Sequence, residues 1–62
     1  MLLILEAQEA GTDAGMAVAA GRLTPEEAGT MWVAYADASH EAGVEFNRAY
    51  GIASRTAREA RA

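Results

Sequence analysis

Leu23-Thr24-Pro25-Glu26-Glu27-Ala28 is the stretch whose reading decides the fold of this 62-residue chain. Thr24 offers the hydroxyl that accepts a first-turn amide at a helix N-cap, and Pro25 suits the first helical position, where no amide donor is needed. Glu27, three residues after the cap, completes a capping box, and Leu23 with Ala28 supplies the pair for a hydrophobic staple. A helix therefore starts at Pro25. Two residues upstream of Leu23, Gly21 is the natural left-handed residue that closes a preceding helix. Residues 21–24 read as a tight turn between two helices.

Outward from that turn the apolar residues keep helical spacing on both sides. Downstream, Ala28, Met31, Trp32, Tyr35, Ala38, Ala42, Phe46, Ala49, Tyr50 and Ala53 fall on one stripe at steps of mainly three and four. The stripe predicts one helix over about 25–50, with Gly43 and Gly51 as the places where it can break, followed by a C-terminal helical segment over about 52–61. Ile52 drifts off the stripe and favours an interruption near Gly51. Upstream, Leu3, Ala7, Ala10, Ala14, Ala17 and Gly21 form a seam of mostly small residues. It predicts a helix over about 2–20, which Gly11-Thr12-Asp13 can interrupt, Thr12 or Asp13 then recapping it. An antiparallel hairpin about the turn would set Ala10 against Tyr35, Ala14 against Met31 and Leu3 against Ala42, large against small in each pair.

Composition agrees with an all-α fold: a helical hairpin plus a third C-terminal segment, together one small bundle spanning residues 1–62. Ala supplies 16 of the 62 residues, with a single Pro and few β-branched side chains, which favours helix over sheet. A chain this short buries only about 60% of its unfolded surface, so its stability is marginal. No Cys is present to staple it, and no His and carboxylate cluster has the spacing of a metal site. No metal or cofactor is expected. The apolar opening Leu2-Leu3-Ile4-Leu5 ends at Glu6 with no basic residue before it, so it reads as neither signal peptide nor membrane span, and a cytoplasmic location is expected.

Charge is unevenly distributed. Residues 1–45 carry eight carboxylates against Arg22, a net of −7, while residues 46–62 carry Arg48, Arg55, Arg58 and Arg61 against Glu59, a net of +3, giving −4 in all. Asp37, Glu41 and Glu45 stand at i, i+4 and i+8 on one row. Glu6, Glu9 and Asp13 stand at i, i+3 and i+7 on the first helix. Such like-charge pairs destabilise a helix by about 0.2–0.5 kcal/mol each. These rows read either as a solvated face that keeps a small protein in solution, or as a surface that docks on a basic groove by placing carboxylates where phosphates would lie.

The tail residues Arg55, Arg58 and Arg61 invite the opposite reading, contact with nucleic acid. An acidic body repels the polyanion that three arginines attract, so direct nucleic-acid binding is disfavoured. Arginines near a helix C-terminus instead complement its dipole, Arg55 can pair with Glu59, and the tail can also bridge to a neighbouring copy. Trp32, Tyr35, Phe46 and Tyr50 lie on the stripe and are expected in the core, with the alternative that some serve as interface anchors.

No catalytic constellation emerges. Ser39-His40-Glu41 names three triad residue types, but consecutive helical side chains diverge by about 100°, which forbids a relay. After His40-Glu41, Val44 stands where a zinc-protease string needs its second His. Gly11 and Gly15 fit a GxxxG spacing that, outside a membrane, suggests only close helix approach or a loop. The expectation is a non-enzymatic module that binds a protein partner with a basic surface. Its form would be a stoichiometric inhibitor occluding a nucleic-acid-handling site, as small anti-CRISPR proteins and antitoxins of like size and charge do. The alternative is a self-associating assembly subunit, a homo-oligomer held by the Ala seam, the aromatic stripe and the Arg tail.

Overall fold

The computed structural model describes residues 2–61 as three helices, α1 (Leu2–Ala19), α2 (Pro25–Ala38) and α3 (His40–Arg61), with no strand among the described residues. The bundle is all-α, and its Cα extents are 35 × 20 × 13 Å.

The first turn is built from its own residues. Gly21 takes a φ of +77°, a conformation that glycine adopts without Cβ strain. Its amide donates to the Val18 carbonyl at 3.1 Å, and the Arg22 amide donates to the Ala17 carbonyl at 2.8 Å. That pair of bonds is a Schellman closure, and it satisfies two carbonyls at the end of α1. Three residues on, the Glu27 amide donates to Thr24 Oγ1 at 3.1 Å and the Thr24 amide donates to Glu27 Oε1 at 2.9 Å, forming the complete capping box.

The second turn is a one-residue corner at Ser39, away from the glycines. Ser39 is extended at φ −163°, ψ 131°, and its amide makes the last bond of α2, to the Tyr35 carbonyl. Its Oγ accepts from the Ala42 amide at 3.4 Å and its carbonyl accepts from the Gly43 amide at 3.1 Å, so the same residue ends α2 and caps α3. α3 then runs unbroken through Gly43 and Gly51, and α1 runs unbroken through Gly11-Thr12-Asp13. The third segment therefore begins at His40, and the interruptions expected near 11–13, 43 and 51 are absent.

At three of the helical glycines neighbours come too close for a side chain. A Cβ on Gly11 would lie 2.3 Å from the Phe46 carbonyl oxygen, and one on Gly15 would lie 2.5 Å from the Tyr50 carbonyl oxygen. At Gly43 it would meet the Ala36 Cβ at 2.7 Å. Gly11 and Gly15 thus form the small-residue seam along which α1 meets α3, the soluble counterpart of a GxxxG contact. Cα–H···O contacts of the kind found at close helix interfaces suit this geometry.

Partners advance together along this seam: Gln8 reaches Glu45, Gly11 lies on Phe46 and Ala49, and Gly15 lies on Tyr50 and Ala53. α1 and α3 are therefore parallel, and α2 is the antiparallel return between them. α1 and α2 do form an up-and-down hairpin about residues 21–24, but they touch sparingly, and α3 is the helix on which both pack.

The core is correspondingly thin. Ala7, Ala14, Ala28, Ala42, Ala53 and Phe46 are buried, and Phe46, at 1% exposure, is the one large side chain fully enclosed among the described residues. Its ring stacks between Tyr35 at 5.6 Å and Tyr50 at 6.4 Å, centroid to centroid. Leu3, Ile4, Ala10, Val18, Leu23 and Met31 close around this cluster from α1, the first turn and α2.

Candidate functional site

On the surface, α1 and α3 line an open, largely apolar groove of about 620 Å³. Met16 from α1 and Ile52 from α3 are its large apolar residues, 44% and 50% exposed, and Ala49, Ala53, Ala57 and Ala60 form much of the remaining wall. The groove exists because the glycine seam draws the two backbones together below it, so that side chains on their outer shoulders diverge. Burying such residues would be favourable.

The groove has polar edges. Glu45 Oε1 accepts from Gln8 Nε2 at 2.9 Å and pairs with Arg48 Nη1 at 3.3 Å, bridging α1 to α3 at one end. Gln8 and Thr12 also belong to a shallower depression of about 340 Å³, lined otherwise by Glu9 and Asp13. The α1 side is thus edged with carboxylates, and the α3 side carries the Arg48–Glu45 pair.

The sequence-expected acidic residues divide. Glu6, Glu9 and Asp13 are exposed on one continuous helix, so their row exists. Asp37, Glu41 and Glu45 do not form one row: the corner at Ser39 leaves Asp37 on α2 while Glu41 and Glu45 lie on α3. Glu45 is in addition committed to Gln8 and Arg48. The stripe of apolar residues runs unbroken across the corner, and this is why the sequence predicts a single helix there.

The aromatic residues divide too. Phe46 is core and has no surface to offer a partner, and Tyr35 and Tyr50 are half-buried in the stack on either side of it. Trp32, 36% exposed, donates from Nε1 to the Gly43 carbonyl at 2.9 Å and borders a cleft of about 140 Å³ between α2 and α3. It is the one aromatic anchor of the four that retains substantial exposure.

The C-terminal arginines are exposed on the last two turns of α3. Because α1 and α3 are parallel, their C-terminal ends lie together, and the Arg61 guanidinium donates to the Ala19 carbonyl at the end of α1. Arg61 is thereby a cap for a neighbouring helix, which complements the negative end of its dipole. Among the described residues the one salt bridge joins Arg48 to Glu45, so Arg55 and Glu59 are not paired.

Of the three triad residue types, Ser39 uses its hydroxyl as the α3 cap, and His40 and Glu41 are exposed in the first turn that follows. No group of three or more His, Cys, Asp or Glu is gathered among the described residues in a way that would hold a metal ion. None of the described helices is long and apolar enough to cross a membrane.

Met16, Ile52 and Arg48 were not singled out as site residues by the sequence. The signal was present: Leu5, Gln8, Thr12 and Met16 form a second line at steps of three and four, and Arg48, Ile52 and Thr56 form one at steps of four. Neither line belongs to the core stripe, and the two become one surface only when α1 lies beside α3. No protein family, curated protein or solved structure matches this chain.

Proposed function

We propose that this chain is a non-enzymatic protein-binding module whose partner seats on the α1–α3 face. The observation that carries the proposal is the apolar groove with Met16 and Ile52 exposed in it and carboxylates along its α1 edge. Apolar anchors at the centre of a patch with charged residues at its rim are the usual anatomy of a protein interface. The acidic edge of Glu9 and Asp13 selects a partner with basic residues beside its apolar stripe, and Glu6 lies outside that edge. A protein that handles nucleic acid presents such a surface, and a partner held there is blocked stoichiometrically, which is the inhibitor form of this function. Asp37 and Glu41 lie outside the groove lining and contribute only general negative potential.

The test is recovery of a partner from native-host extract by the tagged full chain, compared among three variants. Ile52→Glu and the double variant Glu9→Lys/Asp13→Lys should both lose the partner while keeping wild-type helicity by circular dichroism. Asp37→Lys should retain it. A partner held equally well by all three places the binding surface elsewhere and refutes the assignment.

A further inference from the structure

Resting on the reading of the α1–α3 face as a binding surface, we infer that one occupant of that face is a second copy of this chain, in a parallel two-fold dimer that lays α1 of each copy over α3 of the other. The face is complementary to itself in sign, height and area.

Sign comes first. The α1 edge of the face carries Glu9 and Asp13, and the α3 edge carries Arg48 and, one turn before it, Glu45. A two-fold axis lying in the interface along the helix direction exchanges the two edges, so Arg48 of each copy meets Glu9 and Asp13 of the other, with Glu45 left near Glu9 as the one like-charge approach. A two-fold axis across the helices would instead set α1 on α1 and oppose Glu9 and Asp13 to their own copies. Like charges across an interface exclude an arrangement that attraction alone would leave open.

Height agrees with sign. Gln8 bonds to Glu45 across a separation of 37 positions, which sets the level of α1 against α3. On that scale Arg48 lies level with Gly11, midway between Glu9 and Asp13, and Ile52 lies within about one residue rise, ~1.5 Å, of Met16. An axis along the helices preserves height. Arg48 of one copy therefore falls between Glu9 and Asp13 of the other, and Met16 falls on Ile52 in both halves of the interface. An isologous dimer requires this self-complementarity of its patch.

Area is sufficient. The broad side of the bundle measures 35 by 20 Å, an outline of roughly 700 Å². A stable dimer buries about 800 Å² per partner, about a fifth of the 4087 Å² that this chain exposes. Arg48 is held within its own chain only by an exposed i, i+3 contact to Glu45, a weak restraint on swinging to a partner carboxylate.

Sedimentation equilibrium of the full chain from micromolar to sub-millimolar concentration tests the inference. The wild type should approach twice the monomer mass as concentration rises, and Ile52→Glu should remain monomeric with an unchanged helical spectrum. Arg48→Glu alone and Glu9→Arg/Asp13→Arg alone should each weaken self-association at least about tenfold, because each sets like charges together. Mixed one to one, these two variants should form a heterodimer close to wild-type affinity, since both halves of the interface then pair opposite charges. A wild type that stays monomeric throughout overturns the dimer, as does a dimer indifferent to Ile52→Glu or a mixture that fails to associate. If the wild type is monomeric while Ile52→Glu still abolishes capture of a separate partner, the dimer fails and the binding face stands. If neither measurement responds to Ile52→Glu, both fail.

Discussion

Replacing Gly11 with Ala should destabilise this protein even though alanine is the better helix former. The added Cβ would sit 2.3 Å from the Phe46 carbonyl oxygen, 3.1 Å from the carbon of that carbonyl and 3.1 Å from the Ala49 Cβ. Its main obstacle is backbone in the middle of α3, which no rotamer change can move. Relief requires α1 to retreat from α3 by roughly 1 Å, which forfeits a quarter to a half of the dispersion energy of each contact along the seam. Overpacking of this kind costs about 1–3 kcal/mol, and the upper part of that range applies because the clash is with backbone. Helix propensity returns about 1 kcal/mol. The net loss is about 1–2 kcal/mol, a fall in Tm of roughly 5–15 °C for a domain of this size. The control is within the same helix system: a Cβ on Gly29 or Gly51 would meet nothing within 4 Å, so Gly29→Ala and Gly51→Ala should each gain up to about 1 kcal/mol. Thermal and urea unfolding followed at 222 nm, at one matched protein concentration, would rank the four proteins. If Gly11→Ala melts at or above the wild type, α1 does not approach α3 as closely as described, and the groove above that seam loses its physical basis.

Three further outcomes follow from the same structure. Phe46→Ala should remove about 3–5 kcal/mol, comparable with the whole stability of a marginal domain, so its near-ultraviolet aromatic signal and cooperative melt should both be lost. Thr24→Ala should lower stability by about 1 kcal/mol in urea unfolding, because it deprives the Glu27 amide of its acceptor, and Thr24→Ser should restore most of it. Gly21→Ala should cost about 1 kcal/mol through its positive φ alone, with nothing near enough to clash, and Gly21→Asn should cost less.

The first turn was legible in the sequence because its determinants are local. Gly21, Thr24, Pro25 and Glu27 act through bonds that span at most five residues. The second turn was obscured by its own neighbours. Tyr35, Ala38, Ala42 and Phe46 keep helical spacing across Ser39, so periodicity sees one helix where the chain turns a corner. Gly43 and Gly51 drew attention as breakers, yet Gly43 sits inside α3 because Ala36 of α2 presses on it, a reason invisible to any short window. The same limit applies to the pairing of helices. Sequence favours the neighbour joined by the shortest turn, whereas the tightest contact belongs to α1 and α3, whose glycines admit the closest approach. The acidic row of α1 was legible because α1 is unbroken, and the row through Asp37 failed with the corner that divides it. The two lines of residues that form the groove were legible separately, but not as one surface, since the helices that carry them are not consecutive.

The parallel seam also carries an expectation for the order of folding. The turn at Ser39 lets α2 and α3 meet through contacts as few as seven positions apart, as between Ala36 and Gly43. The α1–α3 seam closes only across some 37 positions. Loop-closure entropy therefore places the α2–α3 pair early and the docking of α1 late on the route to the native state. Substitutions in the glycine seam should then leave the refolding arm of a chevron plot almost unmoved and steepen loss of the native state by accelerating unfolding, whereas changes at the Ser39 corner should slow refolding itself. The half-life of the folded chain is thus set mainly by how firmly its first helix stays seated.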